Sequence, residues 1–340
     1  MRCLYHLNGT LTTHYDMTTA QILATTGTTK TWKMQQLFAL GLSRREVATL
    51  MSVGYGFAQN VYAAWVATRA TRALVTPAAA PALAAFQPAR FTRTFGVEIE
   101  AYGVPRATLL AELRAQGLEA EAEGYNHAAR PHWKIVSDGS VSGADAFELV
   151  SPVLQGCDGL DDLARACRAL RNCGARVNRS CGLHVHFGAR DLSIEHLRQV
   201  FRNYLVLEPT IDRLMPASRR GSNNTYCQSL RRGRALATAE RAILAATTTQ
   251  ELSTAANAGN RYHKVNMQSF FRHGTVEFRQ HSASTDFEKI SFWVKLLNNL
   301  IDYSAQRLVT PSLPVAEFTT FNQRDIATYY TRRQAALQTA

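Results

Sequence analysis

At 340 residues with 46% apolar side chains, the chain can bury one large core or two ordinary ones, which excludes disorder as its class. A formal charge of +12 and a pI near 9.7 point to an anionic partner and say nothing of fold. No run approaches the roughly 18 apolar residues that a membrane-crossing helix needs, and six cysteines without a CxxC pair or a secretory signal are expected as reduced thiols of a soluble, cytoplasmic protein.

The charge is uneven: residues 1–90 hold 8 basic and 2 acidic side chains, half of the net charge. Residues 1–28 are Thr-rich without a period and read as a tail. From Lys30, Met34, Leu37 and Phe38 fall at helical spacing up to Gly41. Ser43 with Glu46 forms a capping box that opens a second helix through Val47, Leu50 and Met51. A turn with Gly54 and Gly56 leads to a third helix from about Phe57, with Val61, Ala64 and Trp65 inward and Gln59, Asn60 and Tyr62 outward. Residues 29–74 are thus a three-helix, helix-turn-helix-like candidate whose partner is DNA, or alternatively a bundle that docks on protein. The Ala/Pro-rich, uncharged stretch from Val75 through Pro88 predicts a semi-rigid linker over 75–90.

Beyond the linker, strand and helix signals alternate quickly. Strands are expected at 94–102, 132–137 and 146–151, around Cys181-Gly182-Leu183-His184-Val185-His186-Phe187, and as a hairpin of Lys264–Phe271 with Thr275–His281. Helices are expected at 105–117, 158–171, 194–214, 237–247 and 287–303, and residues 311–340 as a C-terminal tail. The fold class this implies for 91–310 is α+β, with a mainly antiparallel sheet.

Chemistry sits on the strands. Glu98 and Glu100 share a face because strand side chains repeat every two residues, and paired carboxylates repel unless a cation lies between them. Glu148 is a candidate third carboxylate; Glu277 and Arg279 share another face, where a cation and a phosphate or carboxylate could both be held. His184 and His186 also share a face. Zinc is the weakest reading of that pair, since neither zinc-site spacing nor an HExxH helix is present. Neither GxxxxGK[ST] nor GxGxxG occurs, so any nucleotide must be held by metal ions and arginines. The loop 216–234, with five arginines and no acid, is a candidate lid.

In chain order these elements are Glu-x-Glu, Glu148 followed by Ser151-Pro152, Cys-Gly-Leu-His-x-His and Glu-x-Arg. They are joined by Ser137-Asp138-Gly139-Ser140, Pro216-Ala217-Ser218-Arg219-Arg220 with Asn224 and Tyr226, and Arg261-Tyr262 with Asn266. The set resembles the amidoligase family, the carboxylate-amine ligase branch of the glutamine synthetase and glutamate-cysteine ligase superfamily, over about 91–305. The resemblance implies a glutamine synthetase-like sheet, ATP and Mg²⁺ as cofactors, and an amide or isopeptide bond made through an acyl phosphate. It implies Glu98, Glu100, Glu148, Glu277 and His184 as metal ligands, and Arg279, Glu277 and Glu98 as catalytic groups. His184, His186, Arg219, Arg220, Arg261 and Asn266 are implied as nucleotide or substrate contacts. The acid and amine remain open among peptide, protein and cell-wall fragments. Two other readings use the same residues: a DNA-binding protein with a non-catalytic metal domain, and a metal-dependent hydrolase.

Overall fold

Residues 5–7, 10–12, 19–40, 42–74, 86, 88, 90–311 and 313–338 are described in the structure, a computed structural model, and the chain divides into two units, Met1–Ala84 and Ala85–Ala340. The expected linker lies mostly outside the described residues.

The first unit holds the short antiparallel pair β1 (Tyr5–Leu7) and β2 (Thr10–Thr12), then α1 (Thr19–Ala24), α2 (Lys30–Ala39), α3 (Arg44–Leu50) and α4 (Tyr55–Leu74). The capping box forms as expected, with Glu46 N donating to Ser43 Oγ at 3.3 Å and Ser43 N donating to Glu46 Oε2 at 2.7 Å. Part of the expected tail is instead α1, because Ile22 is apolar enough to join Met34, Leu37, Phe38, Val47, Ala58 and Val61 in one core. The inward face of α4 includes Val61 and Trp65 as expected, but Tyr62 takes the place expected for Ala64. Tyr62 packs edge-on to Phe38 at 5.0 Å between ring centroids, while Ala64 is exposed, since the aromatic ring buries far more area than a methyl.

The second unit runs β3 (Thr94–Ala101), α5 (Arg106–Ala115), β4 (Ala120–Ala122), β5 (Trp133–Val136), β6 (Phe147–Val150), β7 (Leu154–Gln155), α6 (Gly156–Asn172) and β8 (Gly182–Gly188). It continues with α7 (Ile194–Asp212), α8 (Leu236–Ala245), α9 (Thr249–Asn257), β9 (Val265–Asn266), α10 (Gln268–His273), β10 (Thr275–Ser282), α11 (Phe287–Ser304) and α12 (Arg324–Gln338). Eight strands form an open sheet in the order β4-β5-β6-β3-β8-β10-β9, with β7 on the start of β3; every pairing but β4–β5 is antiparallel. This is the expected mixed α+β architecture.

Alternation along the central strands decides which face is buried. Phe95, Val97 and Ile99 of β3, Leu183, Val185 and Phe187 of β8, and Val276 and Phe278 of β10 join the apolar faces of α6, α7 and α11 in the main core. The alternate residues of the same strands are polar and face the other way.

Two expected elements differ. The first strand of the hairpin is only Val265–Asn266; Asn266 Oδ1 accepts from Gln268 N at 2.9 Å and turns the chain into α10, which ends at Gly274 in the left-handed region (φ 74°). The expected C-terminal tail carries α12 and buries Phe318, Phe321, Ile326 and Tyr330 in the main core, apolar side chains spaced too irregularly to reveal a helix on their own.

Beneath the sheet lies a buried polar network. Lys264, fully buried, donates from Nζ to Glu208 Oε1 at 2.9 Å and to Asp212 Oδ1 at 2.6 Å. The same two acids accept from the backbone of the 216–234 loop, Glu208 from Leu230 N at 3.1 Å and Asp212 from Gly221 N at 2.9 Å. With Cys227 and Leu230 also buried, the segment expected as a lid is an anchored wall.

His263, 2% exposed, is pushed down to about 4 by burial and by Arg232 and Arg234, and burial also holds His281 well below its ordinary value. Both are neutral in the fold while the unfolded chain takes up their protons below about pH 6.5. Stability should therefore fall as pH drops from 6.5 toward 4, the range over which only the unfolded state gains a proton at His263. Urea midpoints measured across that range in the wild type and in His263→Gln check this; the variant should show the shallower decline.

Candidate active site

Pairing of the central strands brings the predicted acids and histidines onto one polar surface. Glu98 lies opposite His184, Glu277 opposite His186, and Glu100 opposite Glu148. Together they floor a cleft of about 280 Å³.

His184 Nδ1 lies 2.9 Å from Glu98 Oε2, and its Nε2 lies 3.5 Å from Glu100 Oε1. Glu100 Oε2 in turn accepts from Gly182 N at 2.6 Å. His186 is held at Nδ1 by Thr275 Oγ1, 3.2 Å away. Its Nε2 is buried without a hydrogen-bond partner, aimed between Glu98 Oε1 at 3.4 Å and Glu277 Oε1 at 3.9 Å. Glu277 is oriented from behind by Asn266 Nδ2 at 3.0 Å and paired with the Arg279 guanidinium.

So many acids in one place shift each other's protons. Burial and the neighbouring Glu98, Glu100 and Asp138 push Glu148 well above the usual carboxylate range. Burial opposes the charge on Glu98, yet His186 and His184 hold it well below that range; burial also opposes the charge on Glu277, which Arg279 and His186 bring down to about 2. The His186 ring is raised despite burial because Glu277 and Glu98 flank it. A proton kept on Glu148 removes one negative charge and a proton on His186 adds a positive one, and either eases the repulsion among these acids.

Glu98, His186 and Glu277 offer three ligand atoms within 4.8 Å of one another, as do Glu98, Glu148 and His184, and Glu100, Asp138 and Glu148. Oxygen-rich trios suit Mg²⁺, and an imidazole beside two carboxylates is compatible with Mn²⁺ as well. His186 Nε2, buried without a hydrogen bond and flanked by two acids, fits a metal ligand once an ion displaces its proton. Among the described residues no such group includes a cysteine, and the five described cysteines are free. A further trio of Glu121, Glu123 and His132 is outside the cleft, and Arg130 and His132 already bind Glu123.

Cations border the acids. Arg279 donates from Nε to Tyr226 O at 3.3 Å, which fixes it to the anchored loop. Arg219 is 3% exposed; its Nη2 donates to Ser180 O at 3.2 Å and its Nε has no partner. Gly182 makes room for it, because a Cβ there would stand 3.2 Å from the guanidinium and 3.0 Å from His184 Nε2. Arg261 packs over the Tyr262 ring, 5.5 Å from its centroid, at the mouth.

The family model described as "putative amidoligase enzyme" matches residues 91–301, more than half of the chain. The chain belongs to this amidoligase family. The matched residues span the sheet from β3 through most of α11 and include every acid and histidine of the cleft floor. No curated protein matches the chain.

Of the residues singled out from sequence, Glu98, Glu100, Glu148, His184, His186, Glu277, Arg279, Arg219 and Arg261 all line the cleft of this amidoligase domain. Two do not. Arg220 turns away and donates to Met215 O at 2.8 Å, and Asn266 sits behind Glu277, where it orients that acid without reaching the cleft. Sequence reasoning missed Asp138 as an acid of the cluster, although its Ser-Asp-Gly-Ser turn was visible. It also missed Tyr125, His127, Arg272 and His273 at the rim, which lie in loops or a short helix without a period. Lys134 was not foreseen either: buried on β5, it donates to Asn126 O and Ala128 O and so holds the loop that brings Tyr125 and His127 to the mouth.

Proposed function

We propose that this protein is an ATP- and Mg²⁺-dependent carboxylate-amine ligase that forms an amide or isopeptide bond, on a sheet of glutamine synthetase type. The observation that carries the reading is the juxtaposition of four glutamates and two histidines on the cleft floor with Arg219, Arg261 and Arg279 around them. Acids to hold cations beside arginines to hold anions are what a metal-bound polyphosphate requires, and no phosphate loop competes for that role.

A carboxylate is a poor acylating agent, so the γ-phosphoryl group of ATP is first passed to it; the amine then attacks the acyl phosphate and inorganic phosphate leaves. Bound Mg²⁺ supplies charge neutralisation at the phosphate oxygens. Glu98, Glu100, Glu148 and Glu277, with His184 and His186, are the groups that hold the ions. Arg279, fixed by Glu277 and by Tyr226 O, is set to grip the transferring phosphoryl oxygens. Arg219, buried with one side-chain hydrogen bond and no carboxylate partner among the described residues, holds a second anionic group, a phosphate or the carboxylate of the acid substrate.

The test begins without a known substrate. Mg²⁺ and ATP together should raise the melting temperature of the full chain by more than either alone. A panel of amino acids and short peptides should then release phosphate from ATP only when both an acid and an amine are present, with an amide in the mass spectrum. No thermal shift with Mg²⁺ and ATP would overturn the reading; amide or ester cleavage without ATP would favour a hydrolase.

A further inference from the structure

We propose that the first unit is a duplex-DNA-binding module that inserts α4 into the major groove. The proposal is independent of the chemistry of the second unit.

Between α3 and α4 the chain turns in four residues, Met51 to Gly54. Ser52 takes the left-handed conformation there (φ 50°), Val53 N donates back to Ala48 O at 3.0 Å, and Ala58 N donates to Gly54 O at 3.2 Å to start α4. Val47 and Ala48 on one side of this turn and Ala58 and Val61 on the other are buried, which locks the two helices into one rigid pair against α2. A short turn of this kind joining two packed helices presents the second helix outward, as groove-reading helices are presented.

The outward side of α4 has the composition that a groove requires. Gly56, Phe57, Asn60 and Ala63 share that side and are all exposed, Phe57 to 47%. Two of the four are too small to hinder close approach, Asn60 can pair with an adenine edge, and Phe57 can meet a thymine methyl. Gln59 is not available for reading, since its Oε1 accepts from Arg44 Nη1 at 2.7 Å. Charge names the partner. Among the residues whose side chains are described, Lys30, Lys33, Arg44 and Arg45 stand against one acid, Glu46, whose carboxylate is used in the capping box; Lys33 donates to Leu23 O and Arg44 to Gln59, while Lys30 and Arg45, the latter in the first turn of α3, are exposed. An apolar protein partner would have no use for this imbalance, whereas a phosphate backbone does.

The test is fluorescence anisotropy of the full chain with a random-sequence duplex, followed by selection of preferred duplexes. Binding is expected at ~10⁻⁶ to 10⁻⁴ M at low salt and should weaken steeply as salt rises. Arg45→Ala, an exposed substitution that leaves the fold and the Mg²⁺–ATP thermal shift intact, should weaken binding to all duplexes and reduce the salt slope by about one. Asn60→Ala should cost about tenfold on the selected duplex and little on random ones. Absence of duplex binding at low salt overturns the proposal. So does an affinity unchanged by Arg45→Ala, Phe57→Ala and Asn60→Ala combined, which would assign binding to another basic surface. Because the thermal shift with Mg²⁺ and ATP is read on the same preparations, failure here is distinct from failure of the ligase reading.

Discussion

Glu98→Gln should lower ATP-dependent amide formation on the order of 10³-fold. Glu98 is shared between two groups of ligand atoms, one with His186 and Glu277 and one with Glu148 and His184, so its loss disables both. Glutamine keeps the size and one carbonyl oxygen, and a hydrogen bond to His184 Nδ1 can persist, but the charge that attracts a cation is gone. The proton balance changes with it: His186, raised by Glu277 and Glu98, loses one of the two acids that keep it charged. Calorimetric titration with Mg²⁺ in the presence of ATP should show weakened binding beside a retained fold, and Glu123→Gln, outside the cleft, serves as the control. An E98Q enzyme that keeps full activity would remove the acids from the chemistry.

Lys264→Met should destabilise the second unit by about 3–5 kcal/mol. The side chain is fully buried, and among the described residues its ammonium is the only cation within hydrogen-bond distance of Glu208 and Asp212. Removing it leaves two carboxylates in the interior, which costs far more than the pair contributes while intact. The effect should reach the cleft, because those acids hold Leu230 N and Gly221 N of the loop that carries Arg219 and Tyr226. Urea unfolding should show a lower midpoint, and the combined change Lys264→Met, Glu208→Gln, Asp212→Asn should recover part of the loss. If Lys264→Met alone left the midpoint in place, the network would have no structural weight.

Much of the site was legible because strand chemistry is local. The period of two in Glu98–Glu100, His184–His186 and Glu277–Arg279 places each pair on one face whatever the rest of the chain does. The capping box at Ser43 and Glu46 is equally local. Motif order added the family, which the match over 91–301 bears out.

Which residue meets which was not local. Glu98 faces His184 across 86 positions of chain, and only the register of β3 on β8 selects that partner. Register also added weight to the second histidine. Sequence favoured His184 as the ligand and implied His186 only as a nucleotide contact, yet both stand in groups of ligand atoms, and His186 Nε2 lies between two acids without a hydrogen bond. Asp138, Arg219 and Lys134 reach the cleft or shape it from loops and from β5, whose placement depends on long-range packing, and the left-handed Ser52 turn depends on α3 and α4 closing on a shared core. The sequence by itself determined the faces of the strands, the chemistry they carry and the family. The tertiary structure alone decided how those faces converge, because strand order and register are set by the sum of many distant apolar contacts and by no single motif.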